Sequence, residues 1–291
     1  MSFASHEELA ALLRWYVEMG VDLAVDETPH DRFGESAAEE AARASAPTAP
    51  EALQGAAAPS PAAARQRPSL AAPSDRPRDL PPDVAEQSAR ELAAAAASLD
   101  ELRAALEAFE GCGLKRTATQ LVFADGNPDA SIMLVGEAPG ADEDRQGRPF
   151  VGRAGQLLDR MLAAIGLDRT SVYIANVAPW RPPGNRAPTP QETALCMPFI
   201  LRQIALANPR LLVCVGNASA QALLGYKEGI TRARGKWVEF AIERGPDGPR
   251  TIPAMGTLHP AYLLRRPAEK RLVWQDLRDI KRTLERVSAQ G

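Results

Sequence analysis

Several residue types and patterns are scarce or missing in this sequence, and each absence excludes a class of protein. Only three cysteines occur among the 291 residues, at positions 112, 196 and 214, so we expect no disulfide framework. No apolar run reaches the roughly 20 residues that a membrane-spanning helix needs. The first residues lack the basic, apolar and small-residue order of a signal peptide. We therefore expect a soluble, cytoplasmic protein with no membrane partner.

The short motifs of several large enzyme classes are also missing. The sequence contains no G-x-x-x-x-G-K-[ST] phosphate loop and no G-x-G-x-x-G dinucleotide motif. With three histidines, no H-E-x-x-H and no C-x-x-C, we expect no closed zinc site. No G-x-S-x-G is present to supply a nucleophilic serine.

Charge is unevenly distributed along the chain, whose formal net charge is −3. Residues 1–80 hold 7 Lys and Arg against 13 Asp and Glu, whereas residues 81–291 hold 27 against 24. The mildly basic second part is compatible with a polyanionic partner but does not demonstrate one.

The sequence divides into three parts, at 1–34, 35–82 and 83–291. The first part carries a helical apolar stripe at Leu9, Leu12, Leu13, Tyr16 and Val17. A single helix of this kind is marginal alone, so we expect it to pack on the main domain or on a partner protein. The second part is rich in Ala and Pro, with 16 and 9 of the 46 residues 37–82, and is predicted to be a disordered linker.

From residue 83 onward, short apolar runs alternate with helical patterns. One helix is predicted over 83–109, and strands are predicted at "SIMLV", "SVYIANV", "RLLVCVG" and "TIPAMGTL". Another helix is predicted to begin at Thr189, with Pro190 and Glu192 after this N-cap, and to end at Asn208. This alternation predicts a three-layer α/β/α domain around a central, mainly parallel four-stranded sheet. Ligands bind such sheets beyond the carboxyl ends of the strands.

Polar side chains follow three of these predicted strands. Glu137 comes after the first, with Asp142, Glu143 and Asp144 close behind, Asn176 comes after the second, and His259 after the last. Each residue alone is typical of a structural role, such as a helix cap, a turn or a solvated charge. Together they predict a site at one edge of the sheet.

The residues at these strand ends resemble those of the family 4 uracil-DNA glycosylases. The matching stretches are "GEAPGADEDRQGRPFVGRAG", "NVAPWRPPGNRAPTPQE" and "LHPAYLLR", in that order, preceded by "FADGNPDA". The resemblance covers roughly residues 100–286. It implies removal of uracil from DNA by base flipping, stacking and stabilisation of the leaving group, with uracil-containing DNA as the partner of a monomeric enzyme.

The resemblance also implies roles for individual residues. It makes Glu137, Glu143 and His259 catalytic, the carboxylates positioning water and supporting a developing sugar cation, and His259 stabilising the uracil anion. The substrate-binding positions that it implies, with Phe150 as the stacking ring and Asn176 as the reader of the uracil edge, are Gly136, Ala138, Phe150, Asn176 and Asn185. Leu263, Leu264 and Arg265 match the wedge that contacts DNA.

The sequence departs from this family at the positions that usually hold a four-iron, four-sulfur cluster. Two positions are cysteine, Cys112 and Cys196, but Phe109 and Trp180 stand at the other two. A cubane cluster normally needs four thiolates. We therefore expect no iron-sulfur cluster and no metal, with zinc on the two cysteines as an outside alternative. Cys214 lies within an apolar strand and is expected to be a buried small hydrophobe.

Two other interpretations remain open at this point. The protein could be a glycosylase that acts mainly on another deaminated or damaged base. It could instead be a non-catalytic adaptor of DNA replication or repair, whose N-terminal helix docks a partner.

Overall fold

The computed structural model describes residues 81–289, which lie within one compact unit, Pro73–Gly291. The predicted N-terminal helix and all but the last residues of the predicted linker lie outside the described residues. Within residues 81–289, no helix combines the length and the apolar character needed to cross a membrane.

The sheet has six strands, in the order β1-β3-β2-β4-β6-β5. The strands are β1 (Asp125–Gly126), β2 (Ile132–Gly136), β3 (Tyr173–Asn176), β4 (Leu211–Val215), β5 (Trp237–Gly245) and β6 (Gly248–Thr257). The four predicted strands are β2, β3, β4 and β6, and they pair in parallel. Antiparallel β1 and β5 complete the two edges, so the prediction of four strands was two short.

Ten α-helices surround the sheet in the described part of the chain. They are α1 (Pro82–Ala95), α2 (Leu99–Ala108), α3 (Gly113–Thr117), α4 (Ala141–Gln146), α5 (Arg153–Ala163), α6 (Pro190–Ala207), α7 (Asn217–Leu224), α8 (Ile230–Ala233), α9 (Pro260–Arg265) and α10 (Lys270–Ala289). Short 3-10 turns lie at Pro183–Asn185 and Pro267–Glu269.

Alternate residues of the central strands face opposite layers, which confirms the predicted α/β/α architecture. On β2, Leu134 packs into a cluster with helices α5, α9 and α10, whereas Met133 and Val135 pack into a cluster with α6 and α7. Period-two alternation of this kind is what a sheet covered on both faces requires. Cys214 is fully buried in β4, as predicted.

The predicted single helix over 83–109 is wrong, because the chain forms two helices there. Ala96 adopts an extended conformation, and the side chain of Ser98 accepts a hydrogen bond from the backbone N–H of Glu101 at the start of α2. An N-cap serine satisfies a helix donor that would otherwise be unpaired, so it favours a new helix start over a continuous helix.

Helix α6 begins and ends where the sequence predicts. Thr189 and Glu192 form a reciprocal capping box around Pro190, and Asn208 ends the helix in the left-handed conformation. The capping box also fixes the end of the loop before Thr189, and this loop lines a cleft at the edge of the sheet that is described below.

Candidate active site

The carboxyl ends of the parallel strands meet at one edge of the sheet and bring the predicted residues together. Gly136 at the end of β2 is paired with Asn176 at the end of β3. The residues that line a cleft of about 570 Å³ at this edge include Glu137, Ala138, Glu143, Phe150, Asn176, Asn185 and His259. A more open groove of about 710 Å³ adjoins it and shares Glu137 and His259.

Gly136 lies directly against the side chains of Asn176 and Phe150. A Cβ added there would lie 2.4 Å from Asn176 Oδ1 and 2.6 Å from Phe150 Cζ. Only a residue without a side chain leaves the ring and the amide this close to the strand end.

Phe150 is buried and occupies the left-handed region, with a φ of 54°. This conformation costs a residue with a Cβ about 1–2 kcal/mol, so the surrounding structure must hold it in place. The ring stacks on that of His259, with 5.5 Å between centroids and 29° between planes. Phe150 therefore forms part of the cleft wall together with the histidine.

His259 is held in one tautomer by the helix that follows it. Its Nδ1 accepts a hydrogen bond of 3.1 Å from the backbone N–H of Ala261 as α9 begins. In a neutral imidazole the other nitrogen, Nε2, must then carry the proton. Burial lowers the pKa of His259 to about 4, with the positive charge of Arg265 adding to the effect, so the ring is neutral at pH 7.

The two predicted catalytic carboxylates have different surroundings. Burial raises the pKa of Glu137, and no hydrogen bond from another described residue offsets it. Glu143 instead accepts hydrogen bonds from the backbone N–H groups of Gly140, Val151 and Gly152, at 2.9–3.0 Å. Glu137 has acceptor oxygens available for a ligand, whereas Glu143 ties the turn after β2 to the segment that carries Phe150.

The other two acidic residues of this stretch do not face the cleft, contrary to expectation. Asp144 is buried and accepts hydrogen bonds from the backbone and hydroxyl groups of Thr119. Asp142 pairs with Arg145 one turn along α4. These carboxylates lie in the first turn of a short helix, where negative charge interacts favourably with the unpaired N–H groups.

Asn185 reaches the cleft from the loop between β3 and α6. It is exposed, has a φ of 56°, and accepts a 2.7 Å hydrogen bond from Arg181 Nε. Arg181 also lies 3.9 Å from the buried carboxylate of Asp144, so one arginine contacts both the loop that carries Asn185 and helix α4. Sequence reasoning missed Arg181, although it lies within the quoted "WRPPGNR".

Of the three residues predicted to form the DNA wedge, Leu263 lies in the core and not at the surface. This side chain is buried in the core beside α5 and α10, because α9 places successive residues on different faces. Leu264 is 37% exposed, and Arg265 is exposed beside it at the cleft margin. Only these two residues of the predicted three are placed at the surface.

The four positions expected to relate to an iron-sulfur cluster do converge, but their chemistry does not fit one. Cys112, Cys196, Phe109 and Trp180 belong to one buried cluster between α1, α2 and α6. The Cys196 thiol is hydrogen-bonded to Cys112, which raises the pKa of Cys196 and lowers that of Cys112. Two sulfur ligands are half of what a cubane needs. Among residues 81–289, no group of three or more His, Cys, Asp or Glu side chains could hold a metal ion.

The two aromatic residues fill the space at the remaining positions. Phe109 and Trp180 are 2% and 1% exposed, and the Phe109 ring lies 5.2 Å from that of Phe199 on α6. A Cβ on Gly111 would lie 2.5 Å from Phe109 Cζ, so the chain passes directly over this ring. The cluster is therefore closely packed by hydrocarbon.

Comparison with known proteins identifies relatives for the part of the chain that carries the cleft. The family model of the uracil DNA glycosylase superfamily matches residues 123–278. The chain is 42% identical over 173 residues to the type-4 uracil-DNA glycosylase of Thermotoga maritima. The aligned part covers 58% of this chain and 86% of the relative. The chain is also 42% identical over 174 residues to the type-4 enzyme of Archaeoglobus fulgidus, covering 58% and 85%. A type-5 uracil-DNA glycosylase of Thermus thermophilus is 34% identical over 116 residues, covering 35% and 52%. The chain thus belongs to the uracil DNA glycosylase superfamily.

Proposed function

We propose that this protein is a monofunctional uracil-DNA glycosylase that hydrolyses the N-glycosidic bond of uracil in DNA and thereby starts base-excision repair. The observation that carries the proposal is the neutral His259, whose Nε2–H is left for the cleft where Phe150 and Asn176 also lie. Its relatives of type 4 support the same substrate.

Recognition begins with a base outside the helix, because the target bond cannot be reached within stacked DNA. Phe150 supplies a flat apolar surface for the extruded ring. The Asn176 side chain can donate to a uracil carbonyl and accept from uracil N3–H at the same time. Asn176 is 5% exposed, so water competes little for these hydrogen bonds.

Bond cleavage leaves negative charge on the uracil and positive charge on the sugar. The His259 Nε2–H would donate to the uracil oxygen on which that negative charge develops, and a fixed donor of this kind stabilises the transition state. Because the ring is already neutral, this donation does not require a proton from an imidazolium.

Attack by water needs a carboxylate with free oxygens, and Glu137 is the better placed of the two. Its carboxylate would hold the water, accept a proton as the oxygen bonds to the sugar carbon, and offset the charge of the sugar cation. Glu143 would act through the backbone that it binds, as a positioning residue for the Phe150 segment.

The space left by the extruded base would be filled from α9. Leu264 is the exposed apolar residue there, and Arg265 follows it with a positive charge. An apolar side chain inserted at an unstacked step, beside a cation that contacts phosphate, is a common arrangement in proteins that distort DNA.

We also propose that the enzyme works without an iron-sulfur cluster. Phe109 and Trp180 would replace two ligands by apolar burial, worth about 2 kcal/mol for each large side chain. Iron and acid-labile sulfide measured on purified protein test this statement, and stoichiometric amounts of both would contradict it.

The glycosylase proposal is tested by free-base release from oligonucleotides, single- and double-stranded, that carry uracil, hypoxanthine, xanthine or mismatched thymine. Uracil is expected to be released fastest, and His259→Ala is expected to slow that release by roughly 100- to 1,000-fold. His30→Ala, outside the matched residues 123–278, is the control. Folded wild-type protein that releases another base but no uracil would contradict the proposal.

A further inference from the structure

Arg169 lies in the connection between α5 and β3, outside the cleft, yet its guanidinium is bonded to the backbone of the cleft wall. Its Nη1 donates to the carbonyl of Pro149 at 3.1 Å, and its Nη2 donates to the carbonyl of Phe150. These two carbonyls flank the residue whose ring forms the wall.

The guanidinium is itself fixed by two carboxylates from different elements. Its Nη1 donates to Asp125 on β1, and its Nε donates to Asp159 on α5 at 2.9 Å. Arg169 and Asp125 are 23% and 18% exposed in their side chains, so solvent screens the pair only in part. The rigid, planar fork of arginine can make all four contacts at once, which a lysine cannot.

The Phe150 carbonyl also lies directly against helix α5. A Cβ added to Gly155, in the first turn of α5, would lie 1.6 Å from that oxygen. Phe150 has a φ of 54°, which is unfavourable for a phenylalanine, so contacts with other residues must hold the backbone in this conformation. The close approach of α5 and the bonds from Arg169 together hold the backbone in it.

We infer that Arg169 is a positioning residue for base recognition, which sets the location of the Phe150 ring by holding the Phe150 carbonyl against α5. The inference rests on the proposed function for its effect on catalysis, though not for its effect on the ring. Asp125 and Asp159 contribute to this positioning, because they orient the guanidinium of Arg169.

A double-mutant cycle separates this role from general stabilisation of the fold. Arg169→Met is expected to slow single-turnover uracil release by roughly 100-fold, since displacement of a recognition group by about 1 Å can have an effect of this size. In a Phe150→Ala background the same change should cost less than about threefold, because no ring remains to be misplaced. Equal losses in the two backgrounds would overturn the inference.

Milder variants keep the test decisive if Arg169→Met does not fold. Arg169→Lys retains the charge but cannot span all four oxygens, and Asp159→Asn leaves the arginine in place with one support removed. Both should lose activity only when Phe150 is present. Arg160→Met is the matched control, because Arg160 is an exposed arginine on α5 beside Asp159. It should not change the rate of uracil release in either background.

A readout that is independent of activity distinguishes failure of this inference from failure of the proposed function. Fluorine NMR of protein labelled with 4-fluorophenylalanine reports on all seven phenylalanines, and Phe150→Leu assigns the signal of residue 150. Arg169→Met and Asp159→Asn should shift or broaden that signal and leave the other six unchanged. An unmoved Phe150 signal in both variants would overturn the inference, whether or not the protein releases uracil.

Discussion

At the scale of single residues, Gly136 has no room for a side chain beside the Phe150 ring and the Asn176 amide. The ring of Phe150 and the amide of Asn176 both lie within 3 Å of the place where a Cβ would stand. The smallest possible side chain would therefore displace both of the groups proposed to recognise the base.

Gly136→Ala is expected to reduce kcat/KM for uracil release by roughly 10- to 100-fold, because small shifts of positioned groups have effects of this order. Gly229→Ala is the matched control, since nothing lies within 4 Å of its added Cβ and its φ of −62° suits alanine. Steady-state kinetics on one uracil duplex compares the two variants. An unchanged kcat/KM in Gly136→Ala would show that the ring and the amide are not used together.

Glu137 and His259 also predict how activity depends on pH. Glu137 must be ionised to hold a water, and its pKa is raised, so activity should fall on the acid side at a higher pH than an ordinary glutamate would cause. His259 should stay neutral until the pH approaches 4. Glu137→Gln is expected to remove the acid limb as well as most of the activity. An acid limb that survives unchanged in this variant would assign it to another group.

His259 should also make stability depend on pH. Its folded pKa, about 4, lies below the ordinary value of 6.5, so the unfolded chain binds more protons between these values. Stability is then fully present above pH 6.5 and is lost as pH falls towards 4, by an amount on the order of 2–3 kcal/mol. Urea unfolding should show a steeper loss for the wild type than for His259→Gln over this range. Parallel curves would contradict the assigned pKa.

At the scale of elements, the turn between β2 and α5 depends on one carboxylate. Glu143 accepts three backbone hydrogen bonds that connect Gly140 with Val151 and Gly152. This contact joins the start of α4 to the start of α5 and fixes the segment between them, which includes Phe150.

Glu143→Gln is expected to lower the free energy of unfolding by about 1–3 kcal/mol, because an amide NH₂ would face a backbone N–H and leave it unpaired. Asp142→Asn, which breaks only the exposed pair with Arg145, should cost less than about 1 kcal/mol. Urea titration of both variants provides the comparison. Equal effects would show that the Glu143 hydrogen bonds contribute no more to stability than an exposed ion pair does.

The sequence allowed the central elements to be predicted because their signals are local. The apolar run of β2, the capping box at Thr189 and the αL residue Asn208 each depend on neighbours within a few positions. Strands β1 and β5 were missed for different reasons. β5 is joined to β6 through Gly245-Pro246-Asp247-Gly248, a local turn signal from which the hairpin could have been predicted. β1 has only two residues, so its pairing with β3 alone defines it.

The site was only partly predictable for the same reason. The identities of Glu137, Phe150, Asn176 and His259 could be read from the resemblance, and they do lie together. The occupation of Glu143 by backbone donors, the burial of Leu263 and the bonds from Arg169 depend on contacts between residues distant in sequence. No local pattern in the sequence carries that information.

At the scale of the whole molecule, the family match and every residue proposed for catalysis lie after residue 122. Deletion of residues 1–80 is therefore expected to leave kcat for uracil release within about twofold of the full chain. Binding to any partner of the N-terminal segment would then be lost, while uracil release would be retained. A large fall in kcat, with the same thermal unfolding midpoint, would show that this segment contributes to catalysis.

We propose that this cleft releases uracil from DNA in a protein without an iron-sulfur cluster. The most direct test measures the rate of free uracil release from a uracil-containing duplex on a sample whose iron and sulfide contents are determined at the same time. We predict rapid release from wild-type protein that contains less than about a tenth of the iron of a full cluster, and a collapse of the rate in His259→Ala. Release that rises in proportion to bound iron, or well-folded protein that releases no uracil, would contradict this proposal.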